Sequence, residues 1–238
     1  MQSVRTISGG LMQFMDLEPA LAQDIDLASF PKELVKLVQC RKGEWLFQAG
    51  EPFSYFYQVH TGFAKSIFVT FNGSYQVNRF SMKGNWIGLK GAGQIHYPLS
   101  VMALTDCQFL GIKREILYDI LARDREFAQT FEAMRSRLLI HSEEHLLVLA
   151  NYTNIQKVAY FLLDFQYQLK QVHLNETGIT LPMNREDLKS YLGMTMESLS
   201  RAFGFLEDVG YMKVRNRLIS EIDFERLGLL LNNDKERR

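Results

Sequence analysis

Residues 184–209 read NREDLKSYLGMTMESLSRAFGFLEDV, and this stretch contains two short helical patterns in succession. Asn184 is a good N-cap for a first helix over residues 185–191, because its side-chain oxygen can accept a hydrogen bond from the first turn. Gly193 ends that helix, since glycine adopts the positive φ that a helix C-terminus often needs. Thr195 can cap the second helix. Two helices joined by a short turn with glycine have the spacing of a DNA-binding helix-turn-helix.

The apolar residues of this stretch predict which side of each helix is buried. Leu188 and Leu192 lie on the inner face of the first helix. The second helix has an apolar stripe at Leu199, Ala202, Phe203 and Leu206. The side chains that then point outward at the start of the second helix are Met196, Glu197, Ser200 and Arg201. In a recognition helix, this N-terminal end meets the edges of the bases.

The outward side chains have the chemistry to read bases. Arg201 can donate two hydrogen bonds to O6 and N7 of guanine, and the Glu197 carboxylate can accept one from N4 of cytosine. The two residues are also one helical turn apart, so they can form an ion pair that orients the guanidinium group. Spacing alone leaves a second interpretation open, in which they form only an exposed ion pair.

The sequence on either side of the two helices predicts a small sheet with a basic wing. Residues 211–214 and 218–222 are interpreted as two strands joined by residues 215–217, and residues 179–181 as a third strand. The basic side chains placed to contact phosphates, which supply affinity independent of base sequence, are Lys213, Arg215 and Arg217. Strand, helix, helix and wing make a complete DNA-binding module, and this favours base reading over a mere surface ion pair.

Residues 40–112 have a different pattern, with frequent glycines between short aromatic and β-branched runs. Asn72-Gly73 is a strong turn signal, because both residues tolerate positive φ. Short strands at nearly regular spacing predict an antiparallel roll or barrel. The predicted strands include residues 45–47, 55–59 and 64–69. Ahead of them, residues 11–39 are interpreted as short helices.

A short helix at residues 113–121 follows, and Asp124 is a candidate N-cap for a much longer one. The side chains that recur with heptad spacing in the long helix are Phe127, Phe131, Met134, Leu138, His141 and His145. A seam sustained over about 25 residues, or near 40 Å of helix, predicts that the helix packs against its own copy in a dimer. The alternative is that the seam lies on the roll of the same chain, because a seam alone does not fix the partner.

Metal chemistry finds little support in the sequence. His141 and His145 are one turn apart but are interpreted as interface histidines, since no carboxylate or cysteine completes a metal site with recognisable spacing. Cys40 and Cys107 are the only cysteines, which excludes a four-thiolate zinc or iron–sulfur site within one subunit. Both are interpreted as small buried apolar side chains.

The composition is that of an ordinary globular protein, with 47% hydrophobic and 23% charged residues. No apolar run approaches the roughly 18 residues of a membrane span, and residues 1–10 lack a signal-peptide core. A cytoplasmic protein without a membrane partner is therefore expected. The 27 basic and 27 acidic residues balance, so the case for nucleic-acid binding must rest on local geometry rather than on net charge.

Several motifs along the chain are those of a known family. They are KGEWLFQAGE at residues 42–51, Gly62, GNWIG at residues 84–88, the heptad helix, and LGMTMESLSR at residues 192–201. With these motifs in this order, the sequence resembles the Crp–Fnr family of bacterial transcription regulators over nearly its whole length. The resemblance implies an α+β fold, with an N-terminal β jelly-roll sensor of the cyclic-nucleotide-binding type, a long dimerisation helix and a C-terminal winged helix-turn-helix. The implied divisions are a helical segment at residues 1–39, the roll at 40–123, the dimerisation helix at 124–150 and the DNA-binding domain at 151–238.

The resemblance also implies roles in DNA binding. The spacing of Glu197, Ser200 and Arg201 resembles the Fnr branch, whose proteins read TTGAT-type half-sites. The side chains that by the same resemblance contact backbone phosphates are Asn184, Thr195 and Ser198. Lys189 departs from the family pattern of a small residue there, so its stem must point outward. The implied partners are duplex DNA, a second copy of the chain in a homodimer, and RNA polymerase where such a protein activates, with repression by occlusion equally open.

The sensor end departs from two branches of the family. The cyclic-nucleotide branch holds ribose and phosphate with a glutamate and an Arg-Ser pair, and the places that resemble these carry Leu89 and Tyr97-Pro98. Without that arginine, cyclic-nucleotide binding is not expected. The N-terminal cysteine cluster of the oxygen-sensing branch is absent, so the chain resembles a FixK-like group without an iron–sulfur cluster. No cofactor is expected, and a haem held by a histidine such as His96 is left open.

Two alternatives compete with a DNA-binding regulator of unknown effector. One is a regulator that responds to cyclic nucleotides through an atypical pocket. The other is a metal-dependent jelly-roll enzyme, which would need histidines and a carboxylate that converge on the roll. Only His60 and His96 fall in the roll region, and no HxH motif is present. A protein that is not an enzyme is therefore predicted.

Overall fold

The computed structural model describes residues 25–70, 73–172 and 178–232. These residues form two compact units. The roll unit contains residues 25–142 and 181–196, and the C-terminal unit contains the rest of the described chain. No helix among the described residues is both long and apolar enough to cross a membrane.

The roll unit is built on two four-stranded antiparallel sheets, with the orders β1-β8-β3-β6 and β2-β7-β4-β5. The strands are β1 (Val35–Cys40), β2 (Trp45–Phe47), β3 (Tyr55–Thr61), β4 (Ala64–Val69), β5 (Tyr75–Ser81), β6 (Trp86–Ile87), β7 (Ser100–Ala103) and β8 (Cys107–Lys113). Their aromatic and β-branched residues suit a pleated, half-buried surface. The jelly-roll prediction is confirmed, and the three strands predicted from the short apolar runs are β2, β3 and β4.

Gly62 marks the sharp turn between β3 and β4. Its φ is +87°, and a Cβ at this position would lie 2.5 Å from the Asp106 carbonyl oxygen and 2.7 Å from the Cys107 sulfur. Both the positive φ and the close approach require glycine. The turn therefore depends on a glycine that also belongs to the family motif.

β1 occupies part of the predicted helical segment 1–39, so that prediction is wrong for this part of the chain. β1 pairs with β8 along its whole length, with Cys40 opposite Cys107. A strand of six residues is too short to show a helical or a strand period clearly, and β8 supplies the backbone partners that β1 needs. The segment also holds a 3-10 turn at Leu27–Ser29, and residues 1–24 lie outside the described residues.

Two helices follow β8, namely α1 (Arg114–Arg123) and α2 (Arg125–Asn151). Asp124 begins α2 as predicted, because its Oδ1 accepts a hydrogen bond from the Phe127 N–H at 2.9 Å. α2 has 27 residues, so it is about 40 Å long.

One face of α2 packs against the roll of the same chain. Phe131 is 2% exposed, and its ring lies edge-on to Phe56 and Trp86, with centroids 6.4 and 5.8 Å away. Met134 joins the same core, and Phe127 is half-buried against it. The prediction that the heptad seam faces a second copy is therefore wrong for Phe131 and Met134. Periodicity shows that a helix face is buried, but not against which surface.

The remaining helices are α3 (Asn154–Gln171), α4 (Arg185–Leu192), α5 (Met196–Asp208) and α6 (Phe224–Asn232), and the remaining strands are β9 (Gly178–Thr180), β10 (Lys213–Arg215) and β11 (Leu218–Ser220). In the C-terminal unit, Thr153 and Gln156 form a capping box at the start of α3. The Gln156 amide also donates a hydrogen bond to the Leu230 carbonyl of α6 at 2.9 Å. The three-stranded sheet, in the order β10-β11-β9, confirms the predicted strands around the wing.

α4 belongs to the roll unit, where its neighbour is β5. Asn184 Oδ1 accepts a hydrogen bond from the Asp187 N–H at 2.7 Å, and Gly193 ends the helix with a φ of 59°. Both features are as predicted. The first helix of the predicted helix-turn-helix thus packs on the roll, inside the compact unit of the sensor.

Candidate nucleic-acid interface

α5 has the two faces that its sequence predicts. The residues of its buried stripe are Leu199, Ala202, Phe203 and Leu206. Glu197, Ser200 and Arg201 are exposed, and the side chains of Glu197 and Arg201 are 76% and 72% accessible. Arg201 Nη2 lies 3.0 Å from Glu197 Oε1, so the ion pair predicted from the spacing is present. The three candidate base readers therefore lie together at the first turns of α5, on the side away from its core.

The candidate phosphate contacts near the two helices are also at the surface. Asn184 and Thr195 are exposed, and Ser198 is half-buried. The Asn184 carboxamide oxygen is used as the N-cap of α4, so its NH₂ group is the part that can donate to a phosphate. Lys189 points outward as predicted, with Nζ 2.6 Å from Glu186 Oε2.

The wing is the hairpin between β10 and β11. Arg215 faces Leu218 in the register, and Asn216 in the turn has a φ of 56°, a conformation that asparagine tolerates. The exposed basic residues of the hairpin are Lys213, Arg215 and Arg217. Lys213 Nζ lies 2.7 Å from Glu221 Oε2, so Lys213 must exchange that carboxylate for a phosphate if it binds DNA.

A second apolar face of α2 lies in solvent. Its exposed apolar residues are Leu139, Ile140, Leu146 and Leu147, which are 61%, 41%, 64% and 57% accessible. Leu139 and Leu146 are one heptad apart, as are Ile140 and Leu147, so they form one stripe along the helix. The sequence prediction chose a different stripe. His145 of that stripe is buried within its own chain and His141 and Leu138 are half-buried. The sequence does contain a signal for this second stripe, because the apolar residues of α2 lie on two faces of the helix rather than one.

A cavity of about 490 Å³ lies in the roll unit between the strands and α2. Its apolar wall includes Phe47, Trp86, Leu89, Tyr97, Pro98 and Leu138. The Tyr97 ring stacks on Phe47 with centroids 3.7 Å apart, and its Oη donates a hydrogen bond to the Tyr55 carbonyl at 2.8 Å. Burial raises the pKa of Tyr97, so its hydroxyl stays neutral. Tyr97 is thus a fixed, uncharged wall of the cavity.

The cavity also contains charged side chains that the sequence did not point to. Arg79 on β5 and Lys90 in the 3-10 turn Leu89–Gly91 both line it. Partial burial, and then the nearby charge of Arg79, lower the pKa of Lys90. Arg135 and Glu132 of α2 form an ion pair at 2.8 Å. The cavity therefore presents two neighbouring cations, Arg79 and Lys90, at positions that only the fold brings together.

Comparison with known proteins identifies the family. Residues 37–124 match the cyclic nucleotide-binding domain, and residues 156–230 match the Crp-like helix-turn-helix domain. The solved structure of FixK2 from Bradyrhizobium japonicum is similar, with 31% identity, a TM-score of 0.75, and coverage of 82% of this chain and 96% of that chain. The chain belongs to the Crp–Fnr family. With only two cysteines, this Crp–Fnr protein fits a FixK-like branch without the cluster cysteines.

Two relatives of this Crp–Fnr chain are named as regulators. The transcriptional regulatory protein btr of Bordetella pertussis is 27% identical over 203 residues, which are 85% of this chain and 84% of that protein. The fumarate and nitrate reduction regulatory protein of Salmonella typhimurium is 25% identical over 195 residues, which are 82% of this chain and 78% of that protein. The chain is a Crp–Fnr transcription regulator with a DNA-binding helix-turn-helix, and the family consists of regulators rather than enzymes.

Proposed function

We propose that this Crp–Fnr regulator binds, as a homodimer, palindromic sites built from TTGAT-type half-sites in duplex DNA. The ion pair between Arg201 and Glu197 at the exposed start of α5 carries this proposal. It places a guanidinium and a carboxylate together with Ser200, in the Glu-x-x-Ser-Arg spacing of the Fnr branch, on the end of the helix that enters a major groove.

Base reading follows from the chemistry of these side chains. Arg201 donates two hydrogen bonds to the O6 and N7 atoms of a guanine, and Glu197 orients the guanidinium and accepts from the N4 of a cytosine. The Ser200 hydroxyl can donate to or accept from a neighbouring base. The ion pair with Glu197 restricts the Arg201 side chain in the free protein, so less side-chain freedom is lost when DNA binds.

Phosphate contacts supply the rest of the affinity. Arg215 and Arg217 on the wing, with Asn184, Thr195 and Ser198 near the helix-turn-helix, bind the backbone and set the register of the protein on the duplex. Lys213 contributes less, because Glu221 competes with the phosphate for its ammonium group.

The exposed apolar stripe of α2 is the surface for the second copy. Four large aliphatic side chains in one stripe form a patch that marks an interaction site. Crp-type regulators act as dimers, so a second α2 is the natural occupant. Two such helices packed side by side place two recognition helices on one palindromic site, about 34 Å apart.

The dimer acts on bacterial DNA in the cytoplasm. Bound beside a promoter it can recruit RNA polymerase, and bound across one it can occlude the polymerase. We infer that Cys40, Cys107 and His96 hold no iron–sulfur cluster or haem, because both cysteines are buried and His96 is an exposed residue in an isolated β-bridge.

The effector we propose is a small anion with an apolar body, held in the cavity of the roll unit. Arg79 and Lys90 supply the positive charge, and the aromatic wall supplies the apolar contact. By the resemblance to the cyclic-nucleotide branch, Leu89 and Tyr97-Pro98 correspond to the residues that hold ribose and phosphate there, and this favours a ligand other than a cyclic nucleotide. A saturable rise in melting temperature with cAMP or cGMP, lost in Lys90→Gln, would contradict that choice.

Fluorescence anisotropy with a labelled duplex tests the DNA-binding proposal. We expect the dimer to bind a TTGAT palindrome at least about a thousandfold more tightly than a duplex of scrambled sequence at the same salt concentration. Equal affinity for the two duplexes would overturn the proposed specificity.

A further inference from the structure

The hairpin of β4 and β5 holds α4 through a buried ion pair. Lys65 Nζ on β4 lies 2.5 Å from Asp187 Oδ1 on α4, and the two residues are 8% and 1% exposed. The Tyr75 hydroxyl donates a second hydrogen bond to the same carboxylate oxygen at 3.2 Å. Oδ1 of the Asp187 carboxylate therefore accepts from two donors of the sheet.

Ser190, one turn along α4, makes a second set of contacts. The Val77 N–H donates to Ser190 Oγ at 2.9 Å, and Ser190 Oγ donates to the Tyr75 carbonyl at 3.3 Å. The Gln76 amide donates to the Ser190 carbonyl. β5 is an edge strand of its sheet, so α4 satisfies backbone groups that the edge would otherwise present to water.

The chemistry of this contact suits a reversible attachment. The contact contains a charged pair and several polar groups, together with the Tyr191 ring, which lies 5.0 Å from Phe80. A buried ion pair adds little stability compared with apolar packing, but it is strongly unfavourable when one partner is missing. Polar surfaces of this kind can also be exposed to water when two elements separate.

The other face of the same hairpin lines the cavity. Side chains alternate along a strand, so Ser66 points into the cavity while its neighbour Lys65 points to α4. In the register, Ser66 faces Arg79, which also lines the cavity, and Lys65 faces Phe80, which meets Tyr191 of α4. The register shifts between Ser66 and Ile67, so this alternation applies to these two pairs. A ligand that moves the hairpin therefore moves the partners of Asp187.

The contact leaves the DNA-facing side of this segment uncovered. Asn184 and Thr195, at the two ends of α4, remain exposed while Asp187 is buried. α5 begins at Met196, directly after Gly193 to Thr195, so a fixed α4 restrains where the recognition helix starts. The attached state thus leaves these two candidate phosphate contacts accessible.

We propose that the Lys65–Asp187 pair, with the Ser190 contacts, is a latch that holds the helix-turn-helix in its DNA-binding arrangement, and that the β4–β5 hairpin connects this latch to the cavity. The latch rests on the proposed function. Opening the latch lets α4 and the start of α5 sample other positions, so the DNA-binding population falls.

Asp187→Asn tests the latch in the full-length dimer. This substitution keeps the size of the side chain but leaves the Lys65 ammonium buried without a counter-charge. We expect the affinity for the TTGAT palindrome to fall at least tenfold, and hydrogen exchange of the α4 amides to become faster. Glu186→Gln is the matched control, because it removes the same charge from the adjacent position of α4, where the exposed Glu186 pairs with Lys189 at the surface.

If Asp187→Asn is poorly folded, the double variant Lys65→Met/Asp187→Leu still tests the latch, because it leaves no unpaired charge in the contact. It replaces the ion pair with apolar contact of similar size, so we expect slow exchange of α4 and affinity within about threefold of the parent chain. Unchanged or tighter DNA binding in Asp187→Asn, equal loss in Glu186→Gln, or weak binding by a folded double variant would overturn the proposal. Hydrogen exchange reports the latch without DNA, so a chain that ignores TTGAT but shows these exchange changes would refute the proposed sequence preference and not the attachment of α4.

Discussion

At the scale of single residues, Arg201 and Glu197 are informative because their ion pair contributes little to folding. An exposed pair of this kind adds less than about 1 kcal/mol to stability. Its position on the exposed start of α5, opposite the buried stripe, is therefore better explained by what it binds than by what it stabilises. Base reading and a mere exposed ion pair predict different effects of substituting Arg201.

We expect Arg201→Ala to weaken binding to the TTGAT palindrome by about 1–3 kcal/mol and to relax the base preference at one position of the half-site. Stability should change by less than about 0.5 kcal/mol, because the side chain is exposed. Anisotropy titrations with duplexes substituted at each half-site position measure the preference. The same loss for specific and scrambled duplexes would show that Arg201 contributes charge alone.

Arg215→Ala provides the contrast for that measurement. Loss of a phosphate contact should weaken binding to every duplex alike and lower the slope of log K against log salt by about one. Arg123→Ala on α1 removes the same charge from a helix of the roll unit and should leave both quantities unchanged. If Arg215→Ala changes the base preference, Arg215 contacts bases and the prediction of a phosphate contact is wrong.

The two cysteines lie opposite each other in β1 and β8, and burial raises the pKa of both thiols. The pKa of each thiol is higher in the folded chain than in the unfolded chain, so the fold is stabilised while the thiols are protonated. This contribution to the free energy of unfolding is fully present below the unfolded pKa of about 8.5 and is lost as the pH rises through the folded pKa values. We expect both to resist a thiol-reactive disulfide reagent at mildly alkaline pH until urea unfolds the chain. The absorbance of the released reagent measures the rate of labelling. Rapid labelling of the native protein would contradict this expectation.

At the scale of elements, α2 is a helix with two apolar faces and therefore two partners. One face places Phe131 in the core of the roll, and the other leaves Leu139 and Leu146 in solvent. Both faces satisfy a heptad pattern, so the sequence could predict that α2 is long and amphipathic but not which stripe meets which partner. Only the burial of each stripe in the folded chain shows which one packs on the roll and which one remains exposed.

We expect Leu146→Glu to convert the dimer to a monomer, because it places a charge within the exposed apolar stripe. The fold of the monomer should persist, since this side chain is already 64% exposed. Sedimentation velocity measures the oligomeric state, and circular dichroism measures the fold. Leu229→Glu, a similarly exposed leucine on α6, is the matched control, and a Leu146→Glu chain that remains dimeric would remove α2 from the interface.

The elements differ in how far their sequences predict them. α4 and α5 follow from local signals, because Asn184, Gly193 and the apolar stripe of α5 each act within a few residues. β1 could not be predicted in the same way, since its strand conformation depends on hydrogen bonds to β8, far along the chain. Local signals are strong for capped helices and weak for short strands that need a partner.

At the scale of the whole molecule, the contacts that sequence reasoning missed are those between distant residues. Lys65 and Asp187 are 122 positions apart, and the helix-turn-helix motif that contains Asp187 does not indicate Lys65 as its partner. Arg79 and Lys90 enter the cavity from different elements. The motifs could predict the family, the exposed side chains at the start of α5 and the order of domains. They could not predict the contact between Lys65 and Asp187 or the charge of the cavity, because these depend on how elements pack.

Dimerisation has a geometric consequence for the DNA site. Two recognition helices related by a twofold axis enter successive major grooves on one side of the duplex, with half-site centres about 10 base pairs apart. We expect an insertion of about five base pairs between the half-sites to rotate one of them to the opposite side of the duplex and to reduce the affinity to that for a single half-site. Gel-shift titrations with the parent and the spaced duplex measure this, with Leu146→Glu as the reference for monomer binding. Because a monomer reads each half-site independently, equal affinity for the two spacings in the parent chain would refute a dimer as the DNA-binding species.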